Sequence, residues 1–399
     1  MPRGTALALP LERLRPAPRA TRNGLKPQYS SRCVVFSLNV DHSVKLLHIV
    51  GARPNFPKLA PVHRAGQAAG VTQVIVHTGQ HYDEAMSAGF FRDLGIPAPD
   101  VNLAVGSGSH AAQTARIIER FEPVLLQEQP DWLVVYGDVN STMATAIVAA
   151  KLGVRVAHVE AGLRSYDRSM PEEINRVVTD RLADLLLTPS LDANATLVAE
   201  GESPEAIVFV GNVMIDTLLA SLPRAEATGY AASRGADGRH IVVTLHRPSN
   251  VDDPERLRLV CHALSALAET RPIFFPAHPR TQQQLRVLGI DLGQVMVSDP
   301  LPYFEVLDLV RGAHAVVTDS GGLQEETTAL GVPCFTLRPN TERPITVTEG
   351  TNQLVSDLSA LRSLVEGATP VRPPRPPQGW DGRAGERVIA ALLAHSRAH

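Results

Sequence analysis

The sequence predicts an α/β protein with two doubly wound, Rossmann-like domains that face a central cleft. The first observation is that short apolar segments alternate with segments of helical spacing from Val44 onward. The second is that this alternation occurs in both halves of the chain. The third is the length of 399 residues, which is enough for two domains with separate cores. Such alternation gives parallel sheets covered by helices, with ligands bound at the carboxyl ends of the strands.

The predicted strands are the short apolar segments themselves. In the first half they cover residues 45–50, 73–77, 132–136, 154–158, 185–188 and 207–210. Helical spacing between them covers residues 111–127 and 142–152. In the second half the predicted strands cover residues 241–245, 273–276, 295–297, 315–318 and 332–337.

The two predicted domains cover residues 44–210 and 211–377, with the boundary near Gly211. The Pro-rich residues 370–377 predict a linker. The segment 378–397, with a helix over roughly residues 382–395, is expected to pack back on the first domain. Residues 1–43 form a basic, Pro-rich leader that we expect to be disordered, because its apolar stretch is too short for a signal peptide.

The composition argues against several classes of partner. A net charge of −3 gives no case for nucleic acid or membrane, and no apolar run approaches the ~20 residues of a membrane span. Cys33, Cys261 and Cys334 are far apart, which fits a reducing cytoplasm and gives no metal-ligand spacing. We therefore expect a cytoplasmic protein without a bound metal.

The most informative segment is Asp-Ser-Gly-Gly-Leu-Gln-Glu-Glu at residues 319–326. It follows a predicted strand and begins a helix, so its backbone N–H groups can bind a diphosphate near Ser320, Gly321 and Gly322. The carboxylate of Glu326, one turn later, can accept hydrogen bonds from ribose hydroxyls. The alternative is a Gly-rich turn without a ligand.

Other polar residues in the first half also follow predicted strands. Arg53 and Lys58 suit a phosphate, although a solvated helix start is the alternative. Asp138 is either a base or a helix cap. Glu160 is placed either for an ion pair or for proton transfer at a sugar ring. Glu172 lies at a predicted helix start, where acids are common for structural reasons alone.

In the second half, three residues follow strands close to the predicted diphosphate turn. His246 and His278 each come just after a strand. One such histidine is more often structural, but two at neighbouring strand ends favour contact with an anion. Arg343 follows the strand after the diphosphate turn and is placed to close that site.

Taken together, these motifs resemble the non-hydrolysing UDP-N-acetylglucosamine 2-epimerases from about Val44 to the C-terminus. The resemblance implies a GT-B-like fold and a homodimer that converts UDP-N-acetylglucosamine to UDP-N-acetylmannosamine reversibly, for polysaccharide biosynthesis. It implies no NAD or other cofactor and no required metal. It also implies elimination and re-addition of UDP through 2-acetamidoglucal. The matching motifs are Gly51-x-Arg53-Pro54, Gly79-Gln80-His81, Gly137-Asp138, residues 158–164, Pro171-Glu172-Glu173-x-Asn175-Arg176, His246-Arg247, residues 318–326 and residues 341–344.

The resemblance also implies roles for individual residues. The catalytic candidates are Asp138, Glu160, Glu172 and His246. The substrate-binding candidates are Arg53, Lys58, Arg176, His278, Ser320, Gly321, Gly322, Glu326 and Arg343. Candidates for an activating second nucleotide-sugar site are Gln80, Arg116 and Arg247. Tyr82, Asp83 and Pro248 depart from the pattern of that second site, which leaves both activation and the identity of the sugar open.

Several alternatives remain at this point. The nearest keeps the fold and acts on a UDP-linked diacetamido uronic acid. Hydrolysing epimerases differ in the segment around Glu160. A glycosyltransferase of the same fold would use the nucleotide site without needing Asp138, Glu160 and Glu172 together, and a nucleotide-sugar sensor would not need them at all.

Overall fold

The computed structural model describes residues 44–80, 91–372 and 374–396. The predicted leader and the departing residues Tyr82 and Asp83 lie outside this range. Within it, the chain forms two parallel sheets with helices between successive strands, which confirms the predicted α/β class. The described α-helices are α1 (Phe56–Ala68), α2 (His110–Glu128), α3 (Asn140–Leu152), α4 (Pro171–Leu182), α5 (Leu191–Ala199), α6 (Val213–Thr228), α7 (Tyr230–Ser233), α8 (Pro248–Val251), α9 (Pro254–Ala268), α10 (Pro279–Val287), α11 (Tyr303–Arg311), α12 (Gly321–Leu330), α13 (Ile345–Thr348), α14 (Leu361–Gly367) and α15 (Ala384–Ser396).

The first sheet has seven described strands in the order β3-β2-β1-β4-β5-β6-β7, all parallel. This order places β1 and β4 side by side at the centre, where the strand order reverses. Ligands of doubly wound sheets bind at such a point. The strands are β1 (Lys45–Val50), β2 (Thr72–His77), β3 (Val101–Asn102), β4 (Trp132–Tyr136), β5 (Arg155–Val159), β6 (Leu185–Thr188) and β7 (Ile207–Phe209).

The second sheet has six described strands in the order β10-β9-β8-β11-β12-β13, again all parallel. Its reversal point lies between β8 and β11, next to the start of α12. The strands are β8 (Ile241–Thr244), β9 (Ile273–Pro276), β10 (Met296–Ser298), β11 (Ala315–Thr318), β12 (Cys334–Thr336) and β13 (Asn352–Leu354).

All eleven predicted strands are present, with ends that differ by at most two residues. The predicted helices over residues 111–127, 142–152 and 382–395 are present as α2, α3 and α15. The sequence did not predict β3 and β13, because segments of two and three residues that contain asparagine show no apolar run. Both are edge strands, which need less apolar surface than a central strand.

The last helix, α15, packs against the first sheet rather than the second. Val388 and Leu392 belong to the same core as Leu46 of β1 and Leu59 of α1. The indole Nε1 of Trp132 also donates to Ser396 at 2.8 Å. The chain therefore returns to the first half after completing the second sheet.

Candidate functional site

The carboxyl ends of the two sheets share one cluster of charged side chains. Glu160 follows β5 of the first sheet, and Arg343 follows β12 of the second. An Nη atom of Arg343 lies 3.0 Å from Oε1 of Glu160, and both side chains are buried. The predicted residues of the two halves therefore meet in a single site, as expected for strands that end at facing sheet edges.

Asp138, directly after β4 and Gly137, forms a two-point ion pair with Arg176 of α4. Its Oδ2 accepts from Nε at 3.0 Å and from Nη2 at 2.6 Å of Arg176. Burial opposes ionisation of Asp138, but the charges of Arg176, Lys58 and Arg343 outweigh it and lower its pKa. Asp138 is therefore present as a carboxylate that can accept a proton.

Glu160 has an unusual backbone conformation for a residue other than glycine, with φ of +77°. Sites of this kind cost on the order of 1–3 kcal/mol and occur where surrounding contacts hold them in place. Here the N–H groups of Glu160 and Ala161 both donate to the carbonyl of Leu187, at 3.0 and 3.2 Å. The carboxylate is ion-paired with Lys58 of α1. The strain thus directs the Glu160 carboxylate toward Lys58 and Arg343.

Gly137, between β4 and Asp138, is required by this arrangement. Its φ is +62°, and a Cβ atom there would lie 2.5 Å from Nζ of Lys58 and 3.3 Å from Oε2 of Glu160. A side chain at this position would therefore displace the ion pair of Glu160.

Arg343 also contacts two acids of its own half, Glu325 and Glu342. Its Nε is 3.0 Å from Oε1 of Glu325, and a second ion pair joins it to Glu342. Burial raises the pKa of Glu325 despite the nearby charge of Arg343. Burial also acts on Glu342, but Arg343 and Arg338 together lower its pKa. Sequence reasoning missed both acids, although each is adjacent to a predicted residue.

The two acids at the start of α4 have different surroundings. Glu173 is buried and accepts hydrogen bonds from Ser165 and from the backbone N–H of Tyr166, so it holds the loop before the helix. Glu172 is half-buried and lies close enough to Arg247, in the second half, for its charge to act on that guanidinium. Of these two acids, Glu172 is therefore the one whose charge reaches the second half.

The predicted diphosphate segment begins α12, with Ser320 at the helix N-cap. A Cβ atom on Gly321 would lie 2.7 Å from Nη1 of Arg343, whereas one on Gly322 would meet nothing within 4 Å. The space beside Gly322 is therefore open to a ligand, and the first backbone N–H groups of a helix, which have no partner within it, can bind an anion. A cavity of about 230 Å³ adjoins this turn and is lined by Thr244, Leu245, His246, Pro276, His278, Pro300, Leu301, Val306, Ser320 and Leu323.

Glu326, predicted to bind ribose, is buried and accepts a hydrogen bond of 3.0 Å from the hydroxyl of Tyr303. Burial raises the pKa of Glu326 to about 7, although the hydrogen bond from Tyr303 opposes this. Sequence reasoning missed Tyr303, because it precedes Glu326 by 23 residues and follows no long strand. The adjacent Leu301 and Val306, also missed, line the cavity.

His246 and His278 lie beside each other at the ends of β8 and β9, with ring centroids 6.2 Å apart. Nδ1 of His246 is 2.9 Å from Oδ1 of Asp319, which is fully buried. Burial and the positive charges of His246, Arg280 and Arg53 lower the pKa of His278. His246, His278 and Arg53 are thus close enough to act on one anion.

Two of the three candidates for a second site lie in one region, because Nε2 of Gln113 donates to the carbonyl oxygens of both Gln80 and Gly106, in the loop that Arg116 contacts. Gln80 accepts from the backbone N–H and hydroxyl of Ser141, which ties β2 to α3. Arg116 donates to the carbonyls of Val105 and Ser107 and holds that loop. Arg247 follows β8 of the second sheet and is close enough to Glu172 of α4 for the two charges to interact.

The site contains carboxylates that can accept protons, cations that can stabilise a departing anion, and free helix N–H groups. This combination suits proton transfer coupled to loss of a phosphate leaving group. Among the described residues, no group of three or more His, Cys, Asp or Glu side chains is placed to hold a metal ion, and no described helix is long and apolar enough to cross a membrane.

Comparison with known proteins gives consistent results. A family model described as UDP-N-acetylglucosamine 2-epimerase matches residues 63–393. A UDP-N-acetylglucosamine 2-epimerase of Methanocaldococcus jannaschii is 41% identical over 362 residues, which are 88% of this chain and 99% of that protein. A UDP-2,3-diacetamido-2,3-dideoxy-D-glucuronate 2-epimerase of Pseudomonas aeruginosa is 44% identical over 329 residues, 82% of this chain and 91% of that protein.

Two solved structures of UDP-GlcNAc 2-epimerases are also similar to this chain. The crystal structure of the M. jannaschii enzyme in complex with UDP-GlcNAc and UDP has a TM-score of 0.80 and covers 88% of this chain and 100% of that chain. The structure of the enzyme from Neisseria meningitidis bound to UDP-GlcNAc is 27% identical, with a TM-score of 0.78 and coverage of 88% and 100%. The fold is therefore GT-B-like, as the resemblance implied.

Proposed function

Because the chain belongs to the UDP-N-acetylglucosamine 2-epimerase family, we propose that it interconverts UDP-N-acetylglucosamine and UDP-N-acetylmannosamine without hydrolysis, as an isomerase. The observation that carries this proposal is the meeting of Asp138 and Glu160 with Arg343 from the opposite half. A transferase would use the helix at Ser320 but would have no need of two acids beside it.

The hydrogen on carbon 2 of the sugar is poorly acidic, because no carbonyl group lies next to it in the ring. We therefore propose that one carboxylate removes this proton while the bond between carbon 1 and the UDP oxygen breaks. The electron pair of the C–H bond forms the double bond of 2-acetamidoglucal, and UDP leaves with the pair of the C–O bond. A second group then protonates carbon 2 from the opposite face, and UDP adds back to carbon 1.

The proposed acid and base groups are drawn from Asp138, Glu160 and Glu172. The lowered pKa of Asp138 supports a carboxylate at neutral pH. Arg53, Lys58, His246 and His278 would stabilise the departing UDP. Ser320, Gly321 and Gly322 would bind its phosphates, while Glu326 would accept from its ribose. Arg176 and Arg343 would hold the acids in place.

A second candidate substrate is a UDP-linked diacetamido uronic acid, as named for the P. aeruginosa relative. The specific observation in its favour is that the guanidinium groups of Arg338 and Arg247 lie close enough for their charges to interact. Nη1 of Arg338 is buried and has no hydrogen-bond partner among the described residues. Burial and the nearby charge of Arg338 lower the pKa of Arg247. A carboxylate on the sugar would satisfy both guanidinium groups.

We also propose the larger organisation implied by the family. The first domain would comprise residues 44–210 with 378–397, and the second residues 211–377, closing over the enclosed glycal. The protein would act as a cytoplasmic homodimer in polysaccharide biosynthesis. Light scattering of the purified protein tests the dimer, since a monomer mass of 42.9 kDa in solution would contradict it.

The function is tested by proton NMR of the purified protein with UDP-N-acetylglucosamine in deuterated water. We expect deuterium at carbon 2 and growth of UDP-N-acetylmannosamine to an equilibrium mixture, without free sugar. Free N-acetylmannosamine would indicate a hydrolysing enzyme. No exchange with this sugar, but exchange with the diacetamido uronic acid, would establish the second candidate.

A further inference from the structure

A buried chain of hydrogen-bonded groups lies beneath the candidate carboxylates, and the proposed mechanism does not use it. His158 of β5 is fully buried, with Nδ1 2.6 Å from Oδ1 of Asp180 in α4. Oδ2 of Asp180 lies 2.7 Å from Nη1 of Arg164. Arg164 in turn donates from Nη2 to Glu200 at 2.7 Å.

Both ring nitrogens of His158 face hydrogen-bond acceptors. Nε2 is 2.9 Å from the carbonyl oxygen of Gly137, which can only accept. On the other side, Asp180 accepts from Gly162 N–H at 3.1 Å, and burial of Asp180 is outweighed by His158 and Arg164, which lower its pKa. An ionised carboxylate also only accepts hydrogen bonds. The surroundings of the ring therefore suit donation from both nitrogens.

The same hydrogen bonds fix the two loops that carry Asp138 and Glu160. Gly137, whose carbonyl accepts from His158, directly precedes Asp138. Gly162, whose N–H donates to Asp180, comes two residues after Glu160. Both turns have positive φ, +62° at Gly137 and +83° at Gly162, so neither is held by ordinary strand geometry. Loss of His158 would release one loop from the other.

We propose that doubly protonated His158, held by Asp180, is a positioning residue that sets the separation of Asp138 and Glu160. The inference rests on the proposed epimerase function, because their separation matters only if both carboxylates act on one substrate. Proton transfer needs the carboxylate oxygen and carbon 2 of the sugar to lie within hydrogen-bond reach of each other. A displacement of about 1 Å can lower a rate on the order of 10²-fold.

Two variants each keep one of the two N–H donors of the His158 ring and remove the other. His158→Gln keeps an N–H near the Nε2 position for Gly137, whereas His158→Asn keeps one near Nδ1 for Asp180. We expect each to lower kcat on the order of 10²-fold, with KM and UDP affinity little changed. We also expect a larger isotope effect for substrate deuterated at carbon 2, because proton transfer becomes slower than the other steps.

His314→Gln is the matched control, because His314 is also buried and its Nε2 faces the carbonyl oxygen of Val365. His314 precedes β11, at the end of that strand away from the candidate site. Rates are expressed per UDP-binding site, so loss of folded protein does not count. A purely structural role predicts a lower melting temperature with unchanged kcat and isotope effect, as in the control. That result in either His158 variant would overturn the proposal.

A second measurement needs neither turnover nor a variant that folds. Ring ¹⁵N and ¹³C shifts of the wild-type protein at pH 7 report whether both nitrogens of His158 are protonated. His48 is the internal reference for a neutral ring, because burial lowers its pKa to about 3. A neutral His158 would overturn the proposal whatever the activity. Wild-type protein without turnover would contradict the proposed function instead.

Discussion

The carboxyl end of the first sheet and helix α12 of the second sheet, which is the proposed nucleotide region, both hold candidate acids, but Asp138 and Glu160 lie among cations and Glu326 does not. Asp138 and Glu160 lie against Arg176, Lys58 and Arg343. In the second region, the hydrogen bond that Glu326 accepts from the described residues comes from the neutral hydroxyl of Tyr303.

The outcome differs accordingly. The pKa of Asp138 is lowered, whereas that of Glu326 is raised to about 7. Desolvation acts against the charged form in both regions, so the neighbouring charges decide which acid stays ionised at neutral pH. The comparison teaches that Asp138 keeps its charge through modest changes in pH, while Glu326 changes its charge near neutral pH.

The largest expected effect comes from removing the cation that the two regions share. In Arg343→Met, Glu160, Glu325 and Glu342 lose a buried ion-pair partner, and we expect the free energy of unfolding to fall by about 3–5 kcal/mol. Urea denaturation measures this. Arg362→Met, which removes an exposed ion pair with Glu366, is the control and should change little. A similar loss of unfolding free energy in both variants would show that the buried ion pairs of Arg343 stabilise the protein no more than an exposed ion pair does.

The next test removes one charge from the first region. Glu160→Gln keeps the shape of the side chain but cannot accept a proton, and we expect turnover to fall on the order of 10²-fold or more. Glu119→Gln, on the exposed face of α2, is the matched control. Turnover near the wild-type value in folded Glu160→Gln would remove Glu160 from the mechanism.

The nucleotide region is tested by filling the open space beside its helix. Gly322→Ala adds a methyl group that meets no protein atom within 4 Å, so thermal stability should be kept. If a phosphate occupies that space, UDP binding should weaken by about 1–3 kcal/mol, the usual cost of overpacking. Isothermal titration calorimetry measures the affinity. Unchanged affinity would place the phosphates elsewhere.

The smallest expected effect is the pH dependence of the nucleotide region. Ribose hydroxyls donate to the carboxylate form of Glu326, so UDP affinity should fall as pH drops through about 7. Between pH 8 and pH 6 we expect a loss of roughly tenfold, as the ionised fraction falls. Glu326→Gln should keep only the part of the loss that comes from titration of the UDP phosphate, so the difference between the two proteins measures the contribution of Glu326. In Tyr303→Phe the midpoint should move higher, because the hydrogen bond that lowers the pKa is gone.

The same shift has a consequence for stability, with the opposite sign. The pKa of Glu326 is raised in the folded protein above its ordinary value of 4.5, so the folded state binds the proton more tightly. Its contribution to stability is complete below pH 4.5 and is lost as pH rises through about 7. Comparing the melting temperature of the wild type with Glu326→Gln across this range isolates the effect. A difference that does not change with pH would contradict the raised pKa.

Eleven of the thirteen described strands, and the candidate residues beside them, could be predicted from the sequence because both follow from local pattern. Asp138, Glu160 and Arg343 were found as polar residues directly after apolar strands, and parallel strands bring such ends together. The pairing of Glu160 with Arg343 spans 183 residues, so spacing alone could not predict it. The contact of Tyr303 with Glu326 and the two hydrogen-bond partners of His158 could not be predicted for a related reason, because these partners are distant in sequence.

The position of α15 on the first sheet bears on how the protein is synthesised. The apolar surface of α1 around Leu59 is covered by Val388 and Leu392, which leave the ribosome more than 300 residues later. During translation, part of the core of the first half therefore stays exposed until α15 has been synthesised, while the second half can already fold. A chain that stopped near residue 380 would keep the complete second sheet but would lose α15, which covers the core of the first sheet. Errors late in translation would thus damage the earliest part of the molecule.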